Sequence, residues 1–208
     1  LLEDVAAPTQ GVRVWWLGQS GFLLKSAEEH LLIDPYLSDA LAARSSVAGR
    51  EYDRLTRLVV EPGQLAFVLA VVCTNGNPDH LDPGTLADVL AGGARLVCPS
   101  GSEILAGNLL GRVPDDVLGA GDRLSIGGFR VEAVPAFHDS APEGVGYIVR
   151  AGGVTLYHAG DTAYRRELAA AVRPHRPDLA IVTVNGQQGN MSGSEGARRG
   201  RESAARLV

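Results

Sequence analysis

The stretch Thr74-Asn75-Gly76-Asn77-Pro78-Asp79-His80 decides the fold, because it joins a buried strand to a helix and carries two potential metal ligands. The apolar run at 65–73 precedes it and is hydrophobic on both faces, as expected of a buried strand. Asn, Gly and Pro within the stretch favour a turn. A helix is predicted over 83–90, with Asp82 as its cap and Pro83 at its first position. The pattern therefore places Asp79 and His80 in a loop at the end of a strand.

Two other strand ends carry residues of the same chemistry. His138 follows a strand predicted over 129–134, and Asp161 follows one predicted over 154–158, where Gly160 allows a tight turn. Imidazole and carboxylate together suit zinc, manganese or iron and do not suit calcium. The residues therefore predict a metal cluster of Asp79, His80, His138 and Asp161. A polar, hydrogen-bonded loop cluster without metal explains them equally well.

The rest of the chain alternates short strands with helices, which predicts one layered α/β domain over 1–208. The other strands are predicted at 12–17, 21–25, 31–34, 94–98, 123–126, 145–149 and 179–184. Helices are predicted near 51–57 and 102–110, and over 163–172 and 194–207. No repeat or linker interrupts this order.

Composition narrows the partners. The formal net charge is -5, and no dense block of Lys or Arg occurs, which argues against nucleic acid or an anionic membrane as partner. No run reaches the roughly 18 apolar residues of a membrane span, and the first residues lack the pattern of a signal peptide. The two cysteines fit a reducing cytoplasm. We expect a cytoplasmic protein that acts on a small molecule. The sequence does not decide between a monomer and a homo-oligomer.

These residues lie in motifs that resemble those of the metallo-β-lactamase superfamily. The motifs, which more narrowly resemble the ascorbate-6-phosphate lactonase-like branch, are Trp16-Leu17-Gly18-Gln19-Ser20-Gly21-Phe22, Leu32-Ile33-Asp34-Pro35-Tyr36, Asp79-His80-Leu81-Asp82, Gly160-Asp161-Thr162 and Val184-Asn185-Gly186. They occur in the family's order from about residue 12 to the end of the chain. The resemblance implies a four-layer αββα sandwich and a metal-dependent hydrolase.

The resemblance also implies roles for the site residues. His138 matches a ligand of a first ion, Asp79 and His80 match ligands of a second ion, and Asp161 matches the carboxylate that bridges them. The cofactor would be zinc or manganese, with one or two ions per chain. Water activated by the metal would attack a small polar ester, lactone or phosphoester. Asp79 would position that water as the catalytic residue.

The sequence departs from the family pattern at two places. Asn75 and Asn77 stand where the family has its first two histidine ligands, and an amide oxygen is a weak zinc ligand. The family's last ligand histidine follows a final strand, and this chain stops at Val208, so we expect that strand to be truncated. Asp79, His80 and Asp161 remain for one ion, which is the usual minimum for a catalytic zinc.

The sequence thus predicts a lactonase-like hydrolase whose activity is reduced by its degenerate metal site. The alternative is a metal-free binding or scaffold protein on the same fold. Asn185 and Gly186 are candidate substrate contacts, although an ordinary turn explains them equally well. A serine hydrolase is disfavoured, because Gly18-Gln19-Ser20-Gly21 lacks the full Gly-x-Ser-x-Gly elbow.

Overall fold

The computed structural model describes residues 1–41, 54–187 and 189–208. Its strands form two sheets. The strands of the first sheet are β1 Val12–Gly18, β2 Gly21–Ser26, β3 Glu29–Ile33, β4 Ala70–Val72, β5 Arg95–Pro99 and β6 Asp116–Leu118. Those of the second sheet are β7 Arg123–Ile126, β8 Phe129–Pro135, β9 Val145–Ala151, β10 Val154–His158 and β11 Leu179–Ile181. The first sheet has the order β1-β2-β3-β4-β5-β6 and the second the order β11-β10-β9-β8-β7.

Five α-helices accompany the sheets in the described ranges. They are α1 Leu2–Ala6, α2 Pro83–Ala91, α3 Glu103–Leu110, α4 Arg166–Val172 and α5 Gly193–Glu202. Short 3₁₀ helices cover Pro62–Leu65 and Arg173–His175. The helix α2 begins as its sequence predicts, because the Asp82 side chain accepts a hydrogen bond from the Gly84 N–H. No helix in these ranges is both long enough and apolar enough to cross a lipid bilayer.

Three apolar layers hold the elements together. Leu32 and Val71 of the first sheet pack with Leu86 of α2. Other residues of that sheet pack against the second sheet, in a cluster that includes Ile33 and Tyr147. The far face of the second sheet packs on α4, where Val172 joins a third cluster. The order helix, sheet, sheet, helix confirms the predicted four-layer αββα sandwich of metallo-β-lactamase type.

Several boundaries differ from the sequence prediction. The apolar run at 65–73 forms a strand only over Ala70–Val72. Leu65 instead ends a 3₁₀ helix, and its buried side chain packs in the same cluster as Leu32, Val71 and Leu86. The strand β6 was not predicted. The predicted helix at 194–207 ends at Glu202, and Leu207 instead makes an isolated parallel bridge to Leu179. The helix predicted near 51–57 lies partly outside the described residues, and residues 54–57 are not helical.

Candidate metal and substrate site

A buried carboxylate fixes the orientation of His80 in the loop that follows β4. Asp34 lies just beyond β3, and its Oδ1 accepts a hydrogen bond from the Thr74 N–H at 2.7 Å. Its Oδ2 lies 2.6 Å from Thr74 Oγ1 and 2.8 Å from His80 Nδ1. Because Asp34 engages Nδ1, the other ring nitrogen of His80 is directed away from it. This is the arrangement in which an outer carboxylate orients a histidine for a metal.

His80 Nε2 faces two further carboxylates. It lies 3.0 Å from Asp161 Oδ2 and 3.8 Å from Asp79 Oδ2. Burial by itself lowers the pKa of His80, but the charge of Asp34 and the hydrogen bond to Asp161 raise it well above its usual value. Burial raises the pKa of Asp79. Burial also opposes ionisation of Asp161, but the His80 hydrogen bond lowers the pKa of Asp161 below its ordinary value. Asp79, His80 and Asp161, which come from two distant loops, therefore meet at one place.

The two asparagines at the expected ligand positions form hydrogen bonds to other protein groups, one within their own loop and one to the loop after β8. Asn75 is buried, and its Oδ1 accepts a hydrogen bond from the Asn77 N–H at 2.8 Å, which closes a turn. Asn77 Nδ2 donates to Ser140 Oγ at 3.3 Å. Both side chains therefore stabilise the loops around the site.

His138 is the remaining residue of the predicted first ion site. Its Nδ1 hydrogen-bonds Ser140 Oγ at 3.0 Å, whereas its buried Nε2 has no partner among the described residues. A buried ring nitrogen without a partner is a free donor for a ligand, but Asn75 and Asn77 add none beside it. Asp79, His80 and Asp161 are thus three candidate donors for one ion, whereas His138 and Asp161 are only two for the other.

The described residues do not hold any group of three or more His, Cys, Asp or Glu side chains that is already arranged to bind a metal ion. His80 and Asp161 are hydrogen-bonded to each other instead. The two side chains hydrogen-bond each other directly at 3.0 Å, whereas two ligands about 2.1 Å from a tetrahedral zinc stand further apart. The ligand set stays a prediction, and binding would require these side chains to separate.

A cavity of about 350 Å³ opens above Asp79 and Asp161. Its wall is built mainly by the β1–β2 turn and by the segment after β11. The lining residues are Trp16, Gln19, Ser20, Phe22, Asp79, His158, Asp161, Ile181, Val182, Thr183, Val184, Asn185 and Asn190. Asn185 lines this cavity, and its Oδ1 accepts a hydrogen bond from the Gln187 N–H. Gly186 is not among the lining residues; its role in substrate binding, like that of Asn185, stays a prediction.

Asn190 is a site residue that sequence reasoning missed. Its Nδ2 donates to Asp161 Oδ1 at 3.1 Å, and its Oδ1 accepts from the Thr162 N–H at 2.9 Å. It thus holds the Asp161 carboxylate on the side opposite His80. The available signal was weak, because Asn190 lies in a Gly- and Asn-rich loop that reads as a turn.

The fold and this site define a class of protein. Two facing sheets between helices present carboxylate and imidazole groups at one loop edge, and a family model described as "Beta-lactamase superfamily domain" matches residues 13–206. The chain belongs to this family. Among its relatives, a UPF0173 metal-dependent hydrolase of Nitratidesulfovibrio vulgaris (strain DP4) is 30% identical over 183 residues, which cover 84% of this chain and 69% of that protein.

Further relatives agree with this assignment. The UPF0173 metal-dependent hydrolase Ta0764 of Thermoplasma acidophilum is 27% identical over 183 residues, covering 85% of this chain and 72% of that protein. Among solved structures, an isothiocyanate hydrolase from Delia radicum gut bacteria has a TM-score of 0.72 at 18% identity, covering 94% of this chain and 82% of that one. At that identity the structural likeness shows the fold alone.

Proposed function

We propose that this chain hydrolyses a small ester, lactone or phosphoester with one divalent metal ion, zinc or manganese, held by Asp79, His80 and Asp161. One observation carries the proposal: His80 Nε2 lies 3.8 Å from Asp79 Oδ2 and 3.0 Å from Asp161 Oδ2, beneath a cavity of about 350 Å³. The names of the relatives, metal-dependent hydrolases, support it. The lactonase-like motifs support an ester or lactone.

The protein's own groups have separate roles in this proposal. A bound divalent ion would lower the pKa of a coordinated water and polarise the substrate. Asp34 keeps His80 oriented through Nδ1, and Asn190 holds the Asp161 carboxylate. Asp79, which lines the cavity, accepts a hydrogen bond from the attacking water and orients it toward the substrate. Asn75 and Asn77 leave the first ion site incomplete, so we expect activity below that of a two-ion enzyme.

The test compares hydrolysis before and after metal removal. Zinc or manganese restored after chelation should recover hydrolysis of 4-nitrophenyl butyrate or a simple lactone. His80→Gln should abolish that recovery, because it removes the oriented nitrogen. His30→Gln is the matched control, since His30 lies on β3 and packs edge-on against Phe67, away from this cavity. Equal metal-dependent activity in His80→Gln and in the parent would refute the ligand assignment.

A second candidate is a metal-free binding protein on the same fold. Two observations favour this alternative. The described residues hold no cluster of three or more potential metal ligands, and the Asn75 side chain accepts a hydrogen bond within a turn. It predicts that the purified chain takes up neither zinc nor manganese and hydrolyses nothing, while a small molecule still binds in the cavity. Metal uptake that depends on His80 would exclude it.

A further inference from the structure

The charge of the cavity limits what it can bind. Asp79 and Asp161 are the charged side chains among its described lining residues, and no Lys or Arg is present in that set. A divalent ion would add two positive charges and only offset these two carboxylates. A phosphate group carries about two negative charges at neutral pH and is bound in proteins by Arg, Lys or clustered backbone N–H groups. The lining residues therefore offer no excess positive charge that could bind a phosphate group.

Two basic side chains near the β1–β2 turn form hydrogen bonds to other groups of the protein. His158 lines the cavity, but its Nδ1 accepts a hydrogen bond from the Gly160 N–H and its Nε2 donates to the Ser20 carbonyl oxygen. A ring bonded in this way is neutral and has no free donor. Arg54, which lies near Gly18 of the β1–β2 turn, is not among the lining residues; its Nε binds Asp39 Oδ1 at 2.7 Å, its Nη2 donates to the Tyr36 carbonyl oxygen, and its buried Nη1 has no partner among the described residues.

The wall above the carboxylates is mixed: Trp16, Phe22 and Val184 give it an apolar part that includes an exposed aromatic ring, and polar residues such as Gln19 and Thr183 line the rest. Trp16 is 55% exposed, and its Nε1 donates to the Gln19 carbonyl oxygen at 2.7 Å, so the indole is held in place with its surface free. Val184, which is 46% exposed, and Phe22 line the same cavity. Fixed apolar surface at the mouth of a cleft, with a few convergent polar groups, is typical of a site for a partly apolar ligand.

We propose that the substrate is an uncharged, amphiphilic carbonyl compound, an aryl or alkyl ester or lactone, and not a phosphorylated one. The inference rests on the proposed function. The apolar group packs against Trp16, Phe22 and Val184, and the carbonyl faces Asp79 and Asp161. In the reaction, the water oxygen bonds to the carbonyl carbon and the bond from that carbon to the leaving oxygen breaks. One water proton passes to the leaving oxygen, so the products are a carboxylic acid and an alcohol.

The experiment uses paired probes on the whole chain with added zinc or manganese. Turnover of 4-nitrophenyl butyrate and 4-nitrophenyl phosphate compares an ester with a phosphoester that share one leaving group. Calorimetric titration with 4-phenyl-2-butanone and with phenyl phosphate measures binding without turnover. Trp16→Ala removes the aromatic wall. Phe67→Ala is the matched control, because Phe67 is a 45% exposed aromatic side chain that does not line the cavity.

We expect kcat/KM for the butyrate to exceed that for the phosphate at least tenfold. Trp16→Ala should weaken ketone binding about tenfold, as the loss of one aromatic contact surface implies, and Phe67→Ala should leave it unchanged. Faster turnover or tighter binding of the phosphates would overturn the inference while leaving a metal-dependent hydrolase in place. Trp16-dependent ketone binding without turnover of either probe would instead refute the proposed function and support the ligand class. Ketone binding that is absent, or insensitive to Trp16→Ala, would overturn the inference.

Discussion

Replacing Asn190 with alanine should weaken metal binding without unfolding the protein. Asn190 Nδ2 donates to Asp161 Oδ1 at 3.1 Å, while Asp161 Oδ2 lies 3.0 Å from His80 Nε2. The Asp161 side chain is only 11% exposed, so water replaces the lost amide poorly. Without the amide, the carboxylate is free to rotate away from His80.

The magnitude follows from the kind of hydrogen bond. A hydrogen bond to a charged group contributes about 1.5–3 kcal/mol, and removal of a group that orients a metal ligand typically costs about 10- to 100-fold in metal affinity. We therefore expect the Kd for zinc or manganese to rise about 10- to 100-fold in Asn190→Ala. The Thr162 N–H also loses its acceptor, which should lower the free energy of unfolding by about 1 kcal/mol.

The assay is a competition titration of metal against a chromophoric chelator, with urea unfolding in parallel. Asn185→Ala is the matched control, because Asn185 lines the same cavity but bonds only the Gln187 N–H among the described residues. Its metal affinity should match that of the parent. An unchanged Kd in Asn190→Ala, or an equal loss in Asn185→Ala, would refute the positioning role of Asn190.

Two further predictions concern stability. Burial raises the pKa of Glu132, but the hydrogen bond from Arg123 and the surrounding charges outweigh burial and lower that pKa below its ordinary value. The contribution of Glu132 to stability is therefore present above its unfolded pKa and is lost as the pH falls through its folded pKa. Glu132→Gln should therefore lower unfolding free energy by about 0.5 kcal/mol at pH 7 and flatten the acid limb. Gly92→Ala should lower the free energy of unfolding by about 1–3 kcal/mol in urea, because its Cβ would overlap the Ala66 carbonyl oxygen.

Each stability prediction has its own check. Gly63→Ala should be close to neutral, since a Cβ there meets nothing within 4 Å, and an equal loss in both glycine variants would argue against the steric explanation. For Glu132→Gln, an acid limb that keeps the parent's slope would contradict the proposed contribution of the ion pairs with Arg123 and Arg150.

The sequence predicted the layers of the fold better than it predicted the shortest strand and the ends of the strands. Apolar periodicity and turn residues located most of the strands, because burial and chain reversal leave local signals. The short strand β6 was missed, since it pairs over only three residues and one of them, Val117, is exposed. The extent of β4 was overestimated, because an apolar run does not reveal which of its residues find a partner strand and which pack beneath a 3₁₀ helix.

The candidate site was predictable in part. Asp79, His80 and Asp161 stand in motifs, and the structure brings them together. The role of Asn75 depends on a hydrogen bond within a turn, and that of Asn190 depends on a contact between distant parts of the chain. Residue types alone predict neither. Asn75 caps its own loop, and Asn190 reaches Asp161 across 29 positions of sequence. An asparagine is equally suited to a turn and to a tertiary contact, so only the three-dimensional structure distinguishes the two.

Metal content tests the central claim most directly. Elemental analysis of protein purified without chelator and loaded with zinc or manganese should find one ion per chain, none in His80→Gln, and two in the Asn75→His, Asn77→His double variant, with circular dichroism confirming that each variant is folded. No ion in the folded parent and none in the folded double variant would contradict the account and leave a metal-free binding protein in its place.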